Sequence, residues 1–258
     1  MNAGRALVWP AGVTLAILII WEQLVTVLRV KTVLLPRPSL IAGVLWSQGP
    51  LILEHMWPTF YQIVVGFLLS LAGGVLVAVL ITYSDFVRKG FYPLIVLLQI
   101  VPKVAVAPLF VVWFGLGDLS RLLLAFLIAF FPIVINTAAG LTSVDDDFVR
   151  MARAYMGTRW HIFAKIRLPH ALPLIFGGMK ISITLAVIGV VVAEFVAAQH
   201  GIGYLIVMAN GLLDTPLMMA AIVALSLMGL VLYGVVAGLE RLVVYWHVPA
   251  ETPRGGFA

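Results

Sequence analysis

The sequence predicts an all-α protein that crosses a membrane six times. Three observations carry this. Hydrophobic residues make up 63% of the 258 positions and charged residues only 10%. The mean hydropathy is +1.13. The apolar residues also fall in runs long enough to cross the ~30 Å hydrocarbon core as helices. A soluble chain of this size needs far more polar surface. No cysteine occurs, which excludes disulfides and thiolate metal sites. In such a chain the net charge of +5 reports loops beside the membrane and says little about nucleic acid. One transmembrane domain over residues 1–258 is expected.

The first span is expected over about 7–28 and follows Arg5. No small-residue cleavage pattern comes close behind it, so it reads as an anchor helix and not as a removed signal peptide. Glu22, near its outer end, reads as an interfacial carboxylate. Leu35-Pro36-Arg37-Pro38-Ser39 forms a turn, with Ser39 placed to cap a short helix through Trp46. The second span, 59–83, carries Gly66, Ser70 and Gly74 on one face, and small residues let helices pack closely in lipid. Asp85, Arg88 and Lys89 then make a charged turn. The third span, 91–113, contains Pro102 and Pro108 and is expected to be broken. Broken spans are tolerated where protein buries them or where they line a cavity. The turn Gly115-Leu116-Gly117-Asp118 leads to the fourth span, 119–141. The fifth and sixth follow at 180–198 and 217–239, and Gly234 and Gly238 give the sixth a close-packing face of its own.

Two charges fall deep inside these spans. Lys103 and Glu194 each lie about 14 residues beyond a lysine at the inner edge, Lys89 and Lys180, or roughly 21 Å along a straight helix. An ionisable group at that depth is a functional-site hypothesis. With Pro102 and Pro108 they are the candidate lining of a translocation pathway, and pairing Lys103 with Glu194 would lower the cost of burying each. A snorkelling lysine, or an ion pair that only packs, explains them as well. The run Gln199-His200-Gly201-Ile202-Gly203-Tyr204 reads as an outer re-entrant or interfacial turn, because glycine permits backbone shapes that other residues do not.

The longest polar interval, Arg150–Pro169, holds five of the sixteen Lys and Arg residues. Thr142 and Ser143 are placed to cap a helix, with Asp145, Asp146 and Asp147 favouring its positive end. Phe148, Met151, Ala152, Tyr155 and Met156 share one face. Gly157 stops this helix. Thr158 caps a second one through Trp160, Phe163 and Ile166, which Leu168-Pro169 is expected to end. Two amphipathic helices joined by a bend suit contact with a soluble partner. A basic loop that only fixes topology fits the same residues.

Charge sets the orientation. With six spans and the N-terminus inside, inner segments hold Arg5, Arg88, Lys89, Arg150, Arg153, Arg159, Lys165, Arg167, Lys180, Arg241 and Arg254. Outer segments hold only Arg29, Lys31, Arg37 and Arg121. The positive-inside rule therefore puts both termini and the polar interval in the cytoplasm. No phosphate-binding loop, zinc-protease motif or catalytic carboxylate pair occurs, so no enzyme is read here.

The polar interval resembles the EAA signature of permease subunits of bacterial ABC importers, in which Glu-Ala-Ala is followed by Gly and then by Ile-x-Leu-Pro. Ile166 and Leu168-Pro169 align with its end. Arg150, Met151 and Ala152 stand at the Glu-Ala-Ala positions, and Met156 at the glycine position with Gly157 one residue late. Thr158-Arg159-Trp160, Phe163, the run from Pro102 to Gly117, and Ala193-Glu194 followed by Gly201-x-Gly203-Tyr204-Leu205-Ile206 are similar to the branch importing nitrate, sulfonates, taurine and thiamine-precursor pyrimidines. The resemblance implies the methionine-importer-like (type I) permease fold and a bacterial inner-membrane location. It implies a homodimer, a separate ABC ATPase carrying ATP and Mg²⁺, and a periplasmic or lipid-anchored substrate-binding protein. Residues 142–169 would be the coupling region, with Met156, Gly157, Arg159, Trp160, Phe163, Leu168 and Pro169 at the ATPase contact. Specificity would lie largely in the binding protein, with Lys103 pointing toward an anion. The residues alone also leave open an ion-coupled carrier using Lys103 and Glu194 as a charge relay. A non-transporting scaffold is the third reading, but it gives no reason for the broken third span.

Overall fold

A computed structural model describes residues 3–155 and 157–246. Among these, every regular element is helical. The chain forms two compact units: Met1–Tyr61 with Val191–Met228, and Gln62–Val190 with Gly229–Ala258.

The first unit begins with α1 (Ala3–Val27) and α2 (Pro38–Ser47). Proline occupies the first turn of α2, where its missing N–H costs nothing. Ser39 does not cap α2 as expected. Its N–H and its hydroxyl both donate to the Glu22 carboxylate, at 3.0 and 2.8 Å. Glu22 is therefore the acceptor for the start of α2, supplied from another helix. The unit also takes the first part of α3 (Gly49–Tyr83) and the last part of α9 (Leu168–Ala197). It is completed by α10 (Ile202–Gly211) and the start of α11 (Thr215–Val243). Its core joins Ile41 and Ile52 to Ile202, Leu205 and Ile206, with alanines of α11 closing the packing. The expected turn at residues 199–206 is thus mostly a short apolar helix.

The second unit is organised around α6 (Asp118–Thr142). The small face of α3 lies against it. Added methyl groups would meet Ala125 Cβ at 2.8 Å from Gly66 and Ile133 Cγ2 at 2.7 Å from Gly74, so only glycine fits. Ser70 Oγ donates to the Gly66 and Phe126 carbonyls. By contrast, a methyl group added at Gly234 or Gly238 would meet nothing within 4 Å outside its own helix, so among the described residues the expected close-packing face of α11 is unused.

The third span is broken as expected. Helix α4 (Asp85–Ile100) and the segment Lys103–Phe114, which contains α5 (Ala107–Phe114), meet at 86°. Pro102 sits at the break, whereas Pro108 occupies the first turn of α5 and starts a helix without kinking one. Among the described residues, five helices are long and apolar enough to cross a membrane, and six if the bent pair counts as one. Helices α3 and α9 begin before their expected positions, at Gly49 and Leu168.

Candidate functional site

The polar interval folds as α7 (Asp146–Ala154), α8 (Arg159–Ile162) and a π-turn (Phe163–Arg167) that runs directly into α9. Thr142 ends α6 and Ser143 follows as its C-cap, so neither caps α7. Asp145 does, accepting from the Asp147 N–H at 2.8 Å. Thr158 caps α8 as expected, accepting from the His161 N–H at 3.2 Å. The chain turns between the two helices where Gly157 N–H donates to the Ala152 carbonyl at 3.0 Å. A methyl group on Gly157 would stand 2.6 Å from that oxygen, which explains a glycine here. Met156, expected at the bend, lies outside the described residues.

The structure corrects one boundary with mechanical consequences. Leu168-Pro169 does not end the second helix. The Leu168 N–H reaches back to the Phe163 carbonyl, five residues away, so the π-turn shifts the bonding register just before a residue with no N–H to give. The helix continues, and Arg159–Ala197 is a single run of 39 residues. The second half of the segment read as a soluble-partner contact, from Arg159 on, is therefore the first part of a helix long and apolar enough to cross a membrane.

The apolar face of α7 and of the start of α8 is uncovered. Phe148 is 60% exposed, Met151 54%, Tyr155 83% and Trp160 70%. Behind this face, side chains link the segment to the end of α3. Trp160 packs on Phe163 with ring centroids 5.7 Å apart. Phe163 meets Tyr83 edge-on at 5.9 Å, and the Arg167 guanidinium lies 5.8 Å from the Tyr83 ring centre. Arg150 pairs with Asp147 on the solvent side of α7.

In the first unit, Glu194 is 2% exposed and held by a built cradle. Thr59 Oγ1 donates to Glu194 Oε1, and the Gly203 N–H donates to Oε2, both at 2.7 Å. Thr59 Oγ1 also accepts from the Ile202 N–H at 2.8 Å, and His55 Nδ1 accepts from the Gly201 N–H at 3.2 Å. Successive amides at the start of α10 are thus capped by side chains from α3 and α9, with a carboxylate at the positive end of the helix. Gly201 has φ of +114°, and a methyl group there would lie 2.1 Å from Glu194 Oε1. One on Gly203 would lie 2.7 Å from Glu194 Cβ. Both glycines are required by the approach of this carboxylate.

In the second unit, Lys103 Nζ donates to the Gln99 carbonyl at 2.9 Å and stands 4.6 Å above the centre of the Phe131 ring. The carbonyl is one of those freed where α4 ends, so the lysine closes the break in the third span. The cation also gains from the face of the aromatic ring. A second charge of this unit, Lys180 on α9, pairs with Glu240 on α11 at 2.7 Å.

A family model described as the binding-protein-dependent transport system inner membrane component matches residues 70–245. The chain belongs to this family. A riboflavin transport system permease protein from Chloroflexus aurantiacus is 38% identical over 93% of this chain and 91% of its own length. A formylaminopyrimidine transport permease protein from Halalkalibacterium halodurans is 31% identical over 92% and 95%. The taurine transport system permease protein of Escherichia coli is 29% identical over 91% and 88%. The fold is that of the MetNI methionine ABC transporter in an inward-facing form, with a TM-score of 0.65, 18% identity, and coverage of 76% of this chain and 98% of that one.

The chain is thus an ABC importer permease, a multi-pass inner-membrane protein of a family that transports small solutes. Sequence reasoning found Glu194 in this permease but not Thr59 or His55, which bind beside it from more than a hundred residues away. It found Trp160 and Phe163 but not Tyr83, whose position at the end of an apolar span reads as an ordinary interfacial aromatic.

Proposed function

We propose that the permease forms the translocation pathway of an ATP-driven importer, as one of two identical copies. A separate ABC ATPase docks on residues 142–169, and an external binding protein delivers the solute. The observation that carries this is the uncovered face of Phe148, Met151, Tyr155 and Trp160 on a segment continuous with a helix of 39 residues. Large apolar side chains that no other part of the chain covers mark a contact surface.

The mechanism is mechanical. ATP and Mg²⁺ act on the partner. Closure of two ATPases would draw the α7–α8 segments together. Met156, Gly157, Arg159, Trp160, Phe163, Leu168 and Pro169 form the contact and its hinge. The unbroken path into α9, and the stack through Phe163 onto Tyr83, would carry the movement to two membrane-crossing helices. The break at Pro102 and Lys103 supplies irregular backbone beside the pathway, Pro108 starts the helix that follows it, and Glu194 fixes the short helix α10. Both termini lie in the cytoplasm in this reading.

For the solute, the proposal is a small heteroaromatic vitamin or vitamin precursor. Relatives named for riboflavin and formylaminopyrimidine match along nearly the whole chain. The lysine that pointed toward an anion is already bound to the Gln99 carbonyl and the Phe131 ring.

The test is a gentle-detergent pull-down from native membranes, with ATPase activity assayed on the eluate. The expected result is a co-purifying ATPase that Trp160→Ala releases. A chain that elutes alone and moves solute in liposomes under a proton gradient would overturn the reading. Uptake of labelled riboflavin or formylaminopyrimidine, against taurine and nitrate, then tests the solute class.

A further inference from the structure

A cavity of about 220 Å³ lies where the end of α3 meets the α7–α8 segment. Three guanidinium groups line it: Arg153 on α7, Arg159 on α8 and Arg167 in the π-turn. Val149 and Ile162, each 5% exposed, form apolar wall. No carboxylate is among the described lining residues. Among the described residues, none of the three arginines enters an ion pair. Arg167 Nε is buried without a hydrogen-bond acceptor, although its guanidinium lies over the Tyr83 ring.

These facts describe an unfinished site. A buried donor of a charged group left without an acceptor costs more than a neutral one. Three cations around one cavity also repel one another. An anion rich in acceptors, seated among them, relieves both costs. We propose that this cavity binds a phosphate group. A carboxylate offers two oxygens in one plane and suits one guanidinium fork. A phosphate presents its oxygens tetrahedrally and accepts from several forks at once.

Tyr83 is the last residue of a helix long and apolar enough to cross a membrane, and where that end reaches the headgroups a lipid phosphodiester can enter the cavity. Basic pockets at that level take phosphodiester headgroups. The same chemistry is offered by free phosphate, and the experiment separates the two sources. The inference rests on α3 crossing the membrane and does not depend on which ATPase docks.

The full chain is purified in mild detergent and reconstituted in nanodiscs of phosphatidylcholine with or without phosphatidylglycerol. Lipid retained through delipidation is counted by native mass spectrometry. Binding of inorganic phosphate to the detergent-purified chain is measured separately by equilibrium dialysis. Arg153→Gln removes an exposed guanidinium, and Arg167→Lys keeps the charge but loses the planar fork.

The expected result is selective retention of phosphatidylglycerol by the unmodified chain and about tenfold less by each variant, the effect of losing one charge-assisted contact. Phosphate binding that weakens about tenfold in both variants, without selective lipid retention, supports the site with a free anion as its source. Two results overturn the inference. In one, the unmodified chain and the variants handle lipid and phosphate alike. In the other, Arg153→Gln leaves both unchanged but lowers capture of the ATPase, which would assign the arginines to an acidic protein surface. Both binding measurements use the chain without its ATPase, so their failure leaves the importer reading untouched.

Discussion

Glu194 and the arginines of the α7–α8 segment are charges treated in opposite ways. Glu194 is 2% exposed and receives a hydroxyl on one oxygen and an amide on the other. Arg153 and Arg159 are exposed, and Arg167 keeps a buried Nε that nothing among the described residues accepts from. The first arrangement is complete within the chain and holds one helix in one place. The second is left open, beside an apolar face that is open too. A finished polar network contributes rigidity, whereas an unfinished one is completed by something else. Substitutions in the cradle should therefore lower the stability of the permease itself. Substitutions on the segment should change what the permease binds.

The sharpest break of this contrast is Glu194→Leu. It keeps the bulk but orphans the buried Gly203 N–H and leaves the Thr59 hydroxyl only the His55 carbonyl, at 3.3 Å. One unsatisfied buried donor and one lost charge-assisted bond together cost about 3 kcal/mol. By the scaling of similar-sized domains, this lowers Tm by about 6–12 °C in detergent. An unchanged melting curve would show that the cradle does not stabilise α10.

Gly201→Ala comes next. Its φ of +114° and the 2.1 Å approach to Glu194 Oε1 leave no room for a methyl group. The carboxylate must move or the backbone must leave its conformation. Strain of this kind costs about 1–3 kcal/mol. Combined with Glu194→Leu, the alanine should cost less than it does alone, because the carboxylate it displaces is gone. Full additivity in that double-mutant cycle would separate the glycine from the cradle.

Much of this was legible in the residues, and the rest failed for definable reasons. The all-helical fold follows from composition and apolar runs. Gly66, Ser70 and Gly74 announced a packing face, and that face is used. Gly234 and Gly238 carry an equally good pattern, yet nothing among the described residues packs on them. Spacing tells which residues share a face but not what the face opposes. Glu194 was conspicuous as an ionisable residue in an apolar run. Its partner Thr59 was not, because a threonine hydroxyl in a helix ordinarily satisfies itself on a carbonyl one turn back. The depth assigned to Lys103 assumed a straight helix from Lys89, and the 86° bend removes that assumption. Leu168-Pro169 looked like a stop because proline breaks the ordinary bonding register. A π-turn changes that register locally and leaves no compositional mark.

The smallest effect on stability, and the most informative about the contrast, belongs to Tyr155→Ser. Tyr155 is 83% exposed and follows the last residue of α7. With so little of the ring covered, its loss should change the stability of the isolated chain by less than about 0.5 kcal/mol. If the apolar face is a contact surface, the same change should lower ATPase recovery in the pull-down, because aromatic side chains dominate interface energetics. The two readouts must therefore separate: Tm held, capture lost. In the cradle they should move together, since a chain with α10 displaced loses stability before any partner is considered. If Tyr155→Ser lowers Tm as far as Gly201→Ala does, the segment is packed within the chain, and the division between finished and unfinished charge no longer predicts where partners bind.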